Sequence, residues 1–577
     1  MHTSDATDPA VTIELAEASF ARRDLLSART HYESALTRLR CNGVDDPAMV
    51  RALVGLAWTM QGLDDADMAL RLHEQALDMQ QRIAPDAQAA ICIIRRGIAA
   101  AQTALGLLEP ALEQNRKVLA AQRALLDGAD PDLAETLNIM GETAARLERY
   151  AEARQYQEEA LAILRQVHPA GAPEIAAALT NLGVSLYRLE APAEAETCLR
   201  EALAIDPELL LAAENLIHVL YQQGRKAEGR ALAAEKYRRR SFVVQPAPPR
   251  PTGTLLVLWS LDGNIPKQHL LARLPLTVID WHIQYASPDH ERQLPPFDLV
   301  FNLIGDADHG AVALAAARAF RQRCDVTLLN DPVKVQRTRR DMIPELLAGI
   351  DGLVIPRIVR LSSAMLRDAG RARVIADAGV SMPLLLRNAG MHGGESVQRI
   401  FDDTGLAQAA IESGDDDMFY VTAYHDYASA DGFYRKYRAV FVDRVPFPYH
   451  LAISSDWLVH YFSADMAAHP WKLAEERRYL EDAQGVLGAR GWAVLEEIAR
   501  RMDLDYCGVD FTLLPDGRVL LFEANATMLV HPEEDGMLAH KNVHVARILA
   551  AFDELVRRNL PLGKRWPPAE AGRAIVS

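Results

Sequence analysis

Between about residues 14 and 237 the chain repeats one apolar pattern with a period of 42. Residues 57, 99, 141 and 183 are Ala, Ala, Gly and Gly, and residues 63, 105, 147 and 189 are all Leu. Residues 69, 111, 153 and 195 are all Ala, and residues 77, 119, 161 and 203 all Leu. Four phases in one register mark the repetition of a supersecondary unit, because a plain helical bundle needs no fixed long period. Within each unit, small residues such as Gly141 and Ala153 flank a short turn and let two helices approach closely. The pattern therefore predicts stacked helical hairpins over 1–240, with degenerate units around Ala28 and Ala227.

The best copies are TLNIMGETAARLERYAEARQYQEEALAI, 136–163, and LTNLGVSLYRLEAPAEAETCLREALAI, 179–205. They resemble tetratricopeptide repeats, and the spacing is similar to the long-helix variant of kinesin light chains. The resemblance implies an all-α solenoid with a concave groove that takes a peptide or protein. No residue of the array suggests chemistry.

After Lys236 the texture changes. The stretch VVQPAPPRPTG, 243–253, cannot continue a helix and favours an extended, semi-rigid spacer, so a linker is expected at 241–253. Short apolar runs follow at 254–260, 276–281, 298–304 and 325–330, separated by helical stretches. That alternation predicts parallel strands under helices across 254–335. From 336 to 577 the pattern is mixed α+β, with a helix expected around Thr338 to Ala348, a strand at 384–387, and antiparallel strands at 418–427, 433–443, 508–514 and 518–525.

The last two runs carry the sharpest chemical signal. Asp516-Gly517 supplies the positive φ angles of a two-residue hairpin turn. Counting back from a Pro515–Arg518 pair puts Asp510 opposite Glu523, with Asn525 farther along the same face and Val509, Phe511, Leu520 and Phe522 on the apolar one. Opposed carboxylates repel, so a cation is expected between them, and removing either acid should relieve the repulsion. Two carboxylates and an amide oxygen suit Mg²⁺.

The order Asp, turn, Glu-x-Asn resembles the metal-binding hairpin of the ATP-grasp superfamily, to which D-alanine–D-alanine ligase and glutathione synthetase belong. The resemblance spans about residues 254–560 and implies an α/β lobe followed by α+β lobes, ATP and Mg²⁺ as cofactors, and Asp510, Glu523 and Asn525 as metal ligands. Upstream, LLLRNAGMHGGESV, 384–397, is similar to the family's phosphate-covering loop, with Arg387, Gly390, His392, Gly393 and Gly394 against phosphate. Arg387 stands where many members carry Lys, and a guanidinium holds phosphate bidentately rather than as a point charge. Arg340, in NDPVKVQRTRRDM, matches a phosphate-contacting cation by position. The strand from Tyr420 to Tyr427, with Thr422 and Tyr424, corresponds by order to the adenine-binding linker. On the next strand Lys436 and Arg438 share a face, an arrangement that calls for an anion above them, and they are expected to act on the γ-phosphate and the acyl phosphate.

The implied activity is C–N ligation: ATP phosphorylates a small-molecule or peptide carboxylate, and an amine attacks the acyl phosphate. Two alternatives stand beside it, a degenerate fold acting as an adaptor through the repeats and a kinase that stops at phosphoryl transfer. His450, His460 and His469 fit no compact zinc spacing; His450, His460 and His531 are each a substrate contact or an ordinary structural histidine.

Composition bounds the rest. The 577 residues are 49% hydrophobic and 24% charged, as in a soluble globular protein, and the net charge of −16 argues against sequence-independent nucleic-acid binding. Five scattered cysteines fit buried thiols in a reducing compartment. With no signal-like segment and no run of about 20 apolar residues, a cytoplasmic protein without a membrane partner is expected.

Overall fold

A computed structural model describes residues 8–40, 46–126, 128–248, 251–389, 396–412, 417–461, 463–533 and 536–560. The chain divides into two compact units, Met1–Lys236 and Tyr237–Ser577.

The first unit is a run of helices that pair into hairpins: α1 (Pro9–Ala21) with α2 (Leu25–Arg40), α3 (Pro47–Gly62) with α4 (Ala66–Ile83), α5 (Gln88–Ala104) with α6 (Leu108–Leu125), α7 (Pro131–Arg146) with α8 (Tyr150–Val167), α9 (Pro173–Arg188) with α10 (Pro192–Ile205) and α11 (Leu210–Gln222) with α12 (Lys226–Tyr237). The four repeated leucines, Leu63, Leu105, Leu147 and Leu189, are the C-cap residues of α3, α5, α7 and α9. Each is followed by a residue in the left-handed region, Asp64, Gly106, Glu148 or Glu190, at φ of 60°, 76°, 59° and 58°. This closes each helix, as where Arg149 N–H returns to the Ala144 carbonyl at 2.9 Å. Ala69, Ala111, Ala153 and Ala195 are fully buried. A Cβ on Gly183 would lie 2.8 Å from Leu199 Cγ, so the close approach read from the small residues is real. Exposed ion pairs tie successive hairpins at the same period: Arg123–Glu159 at 2.6 Å recurs 42 residues later as Arg165–Glu201 at 2.6 Å.

The second unit holds three sheets. The first has the order β1-β3-β2-β4-β5, from β1 (Phe242–Val244), β2 (Gly253–Trp259), β3 (Leu276–His282), β4 (Leu299–Asn302) and β5 (Leu328–Leu329). Its β2–β3, β2–β4 and β4–β5 pairs are parallel, as the alternating pattern predicted. β1 is antiparallel to β3, with Phe242 opposite Trp281. The expected spacer at 241–253 therefore begins as a sheet strand, because FVV is an apolar run that the following prolines end rather than exclude.

A five-stranded sheet runs β12-β11-β13-β14-β6, from β6 (Leu353–Val354), β11 (Tyr434–Val442), β12 (Val445–Ser454), β13 (Tyr506–Leu513) and β14 (Val519–Asn525). A four-stranded antiparallel sheet runs β7-β10-β8-β9, from β7 (Ile358–Ser362), β8 (Leu384–Asn388), β9 (Gln398–Ile400) and β10 (Met418–Ala423). The parallel sheet and the five-stranded sheet share one apolar core, from Leu256 to Val556, while the four-stranded sheet has its own around Leu361, Leu384 and Val421. A boundary at 335/336 thus does not separate cores. The helix expected from Thr338 to Ala348 is reduced to a 3₁₀ turn at Arg340–Met342 and a short helix at Ile343–Leu346. Among the described residues no helix is long and apolar enough to cross a membrane.

Candidate functional site

A cleft of about 710 Å³ opens in the second unit, lined by β7, β8 and β10 of the four-stranded sheet and by β11 to β14 of the five-stranded one. Part of its lining is aromatic and aliphatic, with Ile358, Leu385, Tyr424, Tyr427, Trp457 and Phe522. The rest includes a charged cluster, Arg340, Arg387, Lys436, Arg438, Asp510, Glu523 and Asn525. Thr422 also lines the cleft. Gly390, His392, Gly393 and Gly394 lie outside the described residues.

Strand geometry explains the convergence. On β11, Lys436 and Arg438 point into the cleft while Tyr437 stacks on Phe511 and Arg435 pairs with Glu475 at 2.6 Å on the other face. Asp510 opposes Glu523 across β13 and β14, although the hairpin closes differently from the sequence count. Leu513, not Pro515, begins the pairing, opposite Val519, and a bulge between Asp510 and Phe511 takes up the extra residue. The bulge also changes the faces: Phe511 now opposes Leu521, and Phe522 turns toward the cleft and packs on Tyr427, with ring centroids 4.8 Å apart.

The cation expected between the carboxylates is supplied by the protein's own side chains. Arg438 faces Asp510 across the β11–β13 ladder and holds it bidentately, Nε to Oδ1 at 2.6 Å and Nη2 to Oδ2 at 2.9 Å. Lys436 Nζ is 3.5 Å from Asp510 Oδ2. Glu523 pairs with Arg340, with Arg387 close by. Burial alone would raise both carboxyls, yet Arg438 and Lys436 hold Asp510 well below the usual range, and Arg340 and Arg387 bring Glu523 down to about 2. Arg387 is pushed below its ordinary value by burial and by Arg340 beside it. The anion expected above Lys436 and Arg438 is likewise Asp510. Neither partner was legible beforehand, because local pattern does not say that β11 lies next to β13.

The donor set fits a hard divalent cation. Asp510 and Glu523 are ionised and directly opposed, and Asn525 Nδ2 lies 2.5 Å from Glu523 Oε1 while its Oδ1 accepts from Thr527 N–H at 3.0 Å. The Thr527 hydroxyl also reaches that oxygen at 3.2 Å, so it is the amide NH₂ that faces the carboxylate in the free protein. Among the described residues no three His, Cys, Asp or Glu side chains converge on a point, so the site rests on two carboxylates and one amide.

Two parts of the site escape the sequence reading. Tyr420 Oη donates to Asp308 at 2.6 Å and Arg360 pairs with it at 3.0 Å, so the loop after β4 reaches the small sheet. The signal is present as acids just past the carboxyl end of a parallel strand, where open α/β sheets place ligand-facing groups. β12, with His450 opposite Arg438, was hidden by Pro446 and Pro448, which an edge strand tolerates. His450 and His460 line the cleft; His469 stands at the N-cap position of the helix Pro470–Glu481 without a side-chain capping bond, and His531 is half-buried, its Nδ1 3.0 Å from the Pro532 carbonyl oxygen.

The first unit is an array of tetratricopeptide repeats, a class of fold whose grooves take peptides and proteins. A family model described as Tetratricopeptide repeat matches residues 8–82 and 132–208. Among solved structures, the tetratricopeptide-like repeats of a kinesin light chain from Podosopora anserina are 19% identical, covering 34% of this chain and 96% of that one, with a TM-score of 0.32. BtubC from P. vanneervenii is 21% identical over 41% of this chain and 91% of its own, with a TM-score of 0.31. YrrB, described as a TPR protein with an unusual peptide-binding site, is 15% identical over 35% and 91%, with a TM-score of 0.27. No curated protein matches the chain.

Proposed function

We propose that the second unit is an ATP-dependent ligase of the ATP-grasp type, which activates a carboxylate as an acyl phosphate for attack by an amine, and that the repeats bind a peptide or protein substrate or partner. One observation carries the reading. Four cations and three oxygen-bearing side chains meet in a cleft between the four-stranded sheet and the sheet that carries β11 to β14, and the same cleft has an aromatic and aliphatic lining that suits a nucleobase. Arg340, Arg387, Lys436 and Arg438 suit a polyphosphate, and Asp510, Glu523 and Asn525 would hold Mg²⁺. When bound, that ion supplies charge stabilisation to the transferring phosphoryl group. In this reading Arg438 and Arg340 leave the carboxylates for phosphate oxygens, so the ion pairs of the free protein are the reserve from which the site is built.

The test is trapping. Full-length protein with ATP, Mg²⁺ and pooled amino acids and peptides should release ADP, and added hydroxylamine should yield a hydroxamate. A stable phosphoester in its place favours a kinase. A second reading, an adaptor over a degenerate nucleotide fold, draws on the same ion pairs, since both carboxylates already have partners. Calorimetric titration showing no binding of Mg-ATP would select it.

A further inference from the structure

The interior of the repeat array is not one core. One apolar cluster runs from Ile13 to Ala101 and another from Leu112 to Leu220. Ile94, Ile98 and Ala101 therefore place α5 in the first cluster, while Leu112 and Leu119 place α6 in the second. A single hairpin thus sends its two helices into different cores.

Buried polar groups gather at the same place. Six side chains of the array are more than nine-tenths buried and carry a nitrogen or oxygen with no hydrogen-bond partner among the described residues; four of them, His73, Gln102, Asn115 and Gln122, lie on or against α5 and α6. The His73 ring fills the notch of Gly97 on α5, where a Cβ would lie 2.3 Å from its Cε1, and burial brings its imidazole down to about 4. Asn115 occupies the register that sets Gln157 against Gly141 and Leu199 against Gly183 in the next two hairpins, so it faces α5 within its own hairpin. On the outside the pattern is inverted. Ile93, Leu107 and Leu125 are 45–55% exposed, whereas the large apolar side chains most exposed on the other internal hairpins, Met68 and Leu189, reach 36%. Polar atoms inside and apolar ones outside weaken the join between α5 and α6. The polar contacts that cross it, Arg95 to Gln114 at 2.7 Å and the Arg96–Glu135 pair, are partly exposed and add little.

We propose that the α5–α6 hairpin is a hinge in the array: α1–α5 and α6–α11 are two cooperative blocks that open from each other there, and the groove changes its curvature at this one place. The stability of a repeat array is a sum of hairpin terms and nearest-neighbour interfaces, so one weak interface uncouples the runs on either side of it. The hinge stands whether or not the second unit is a ligase.

Native-state hydrogen exchange on the full chain in rising low urea, read by mass spectrometry, tests it. Amides of α5 and α6 should exchange on the order of tenfold faster than those of α3–α4 and α8–α9, and those two groups should follow separate urea dependences. Asn115→Leu puts into the hinge the side chain that the same register carries at Leu199, where it is fully buried. It should slow exchange across 88–125 on the order of tenfold and bring the two urea dependences together. Gln157→Leu, at the same register inside the second block, should leave the exchange of α5 unchanged. One common urea dependence from α3 to α9 in the wild-type protein overturns the hinge, and so does an Asn115→Leu protein that exchanges across 88–125 as fast as wild type or faster. If that variant does not fold, the wild-type pattern decides by itself.

Discussion

Glu523 sits between two guanidinium groups, and that position decides what its removal does. The sequence suggests that losing one of two opposed carboxylates relieves repulsion. The structure reverses the sign, because Glu523 neutralises Arg340 and shields it from Arg387. Glu523→Gln should lower the thermal midpoint of the second unit and abolish turnover, with a stability loss on the order of 2–3 kcal/mol at neutral pH. Since the folded carboxyl lies at about 2 against an ordinary 4.5, this stabilisation is complete above pH 4.5 and is lost as pH falls toward 2. Thermal scans of wild type and variant across that range should therefore converge at the acid end. A variant as stable as wild type at pH 7 would show that the arginines do not need the carboxylate. Residue-level reading reached Asp510 opposite Glu523 through a turn placed differently from the real one, and the bulge restored the register. What it could not supply was the cross-strand partner of each acid, since that depends on which strands become neighbours.

Elements built from local contacts were the most legible. Each hairpin of the array touches only its neighbours, so the spacing that sets the packing is written directly into the sequence as a 42-residue period. β12 is the opposite case: its pairing with β11 is local, but two prolines disguise it, and only its edge position makes them tolerable. The array also separates strong from weak contributions. Gly183→Val places a Cβ 2.8 Å from Leu199 Cγ and 3.5 Å from the Ala195 carbonyl, and Leu199 is fully buried with little room to move. The substitution should cost about 1–3 kcal/mol, as overpacking does. Arg165→Ala breaks a pair whose side chains are 48% and 43% exposed, and should cost no more than about 0.5 kcal/mol. Calorimetry should show the first change shifting the transition of the repeat unit alone, and the second leaving it in place. Equal effects of the two would mean that the hairpins are not close-packed at Gly183.

At the scale of the whole molecule, the division after Lys236 and the strand at Phe242–Val244 fix where the chain can be cut. The Pro-rich composition suggests a spacer as far as residue 253, but Phe242 is buried and Gln245 still bonds to Asp280 through its side chain at 2.7 Å. A fragment of residues 237–577 should be soluble and unfold at the midpoint of the second unit. A fragment of 254–577 lacks β1, bares the outer edge of β3, and should unfold earlier or aggregate. Equal midpoints would show that β1 adds nothing. The cleft raises a separate matter of charge. Its four cations exceed its two carboxylates by two, within a unit, residues 237–577, whose net charge is −4. An anionic ligand thus approaches against a repulsive far field and is captured by an attractive near one. Dissolved salt screens beyond about 8 Å at physiological strength, so it weakens the far field before the near. Capture of the nucleotide should accordingly quicken as salt is first added, the reverse of what attraction at long range would produce.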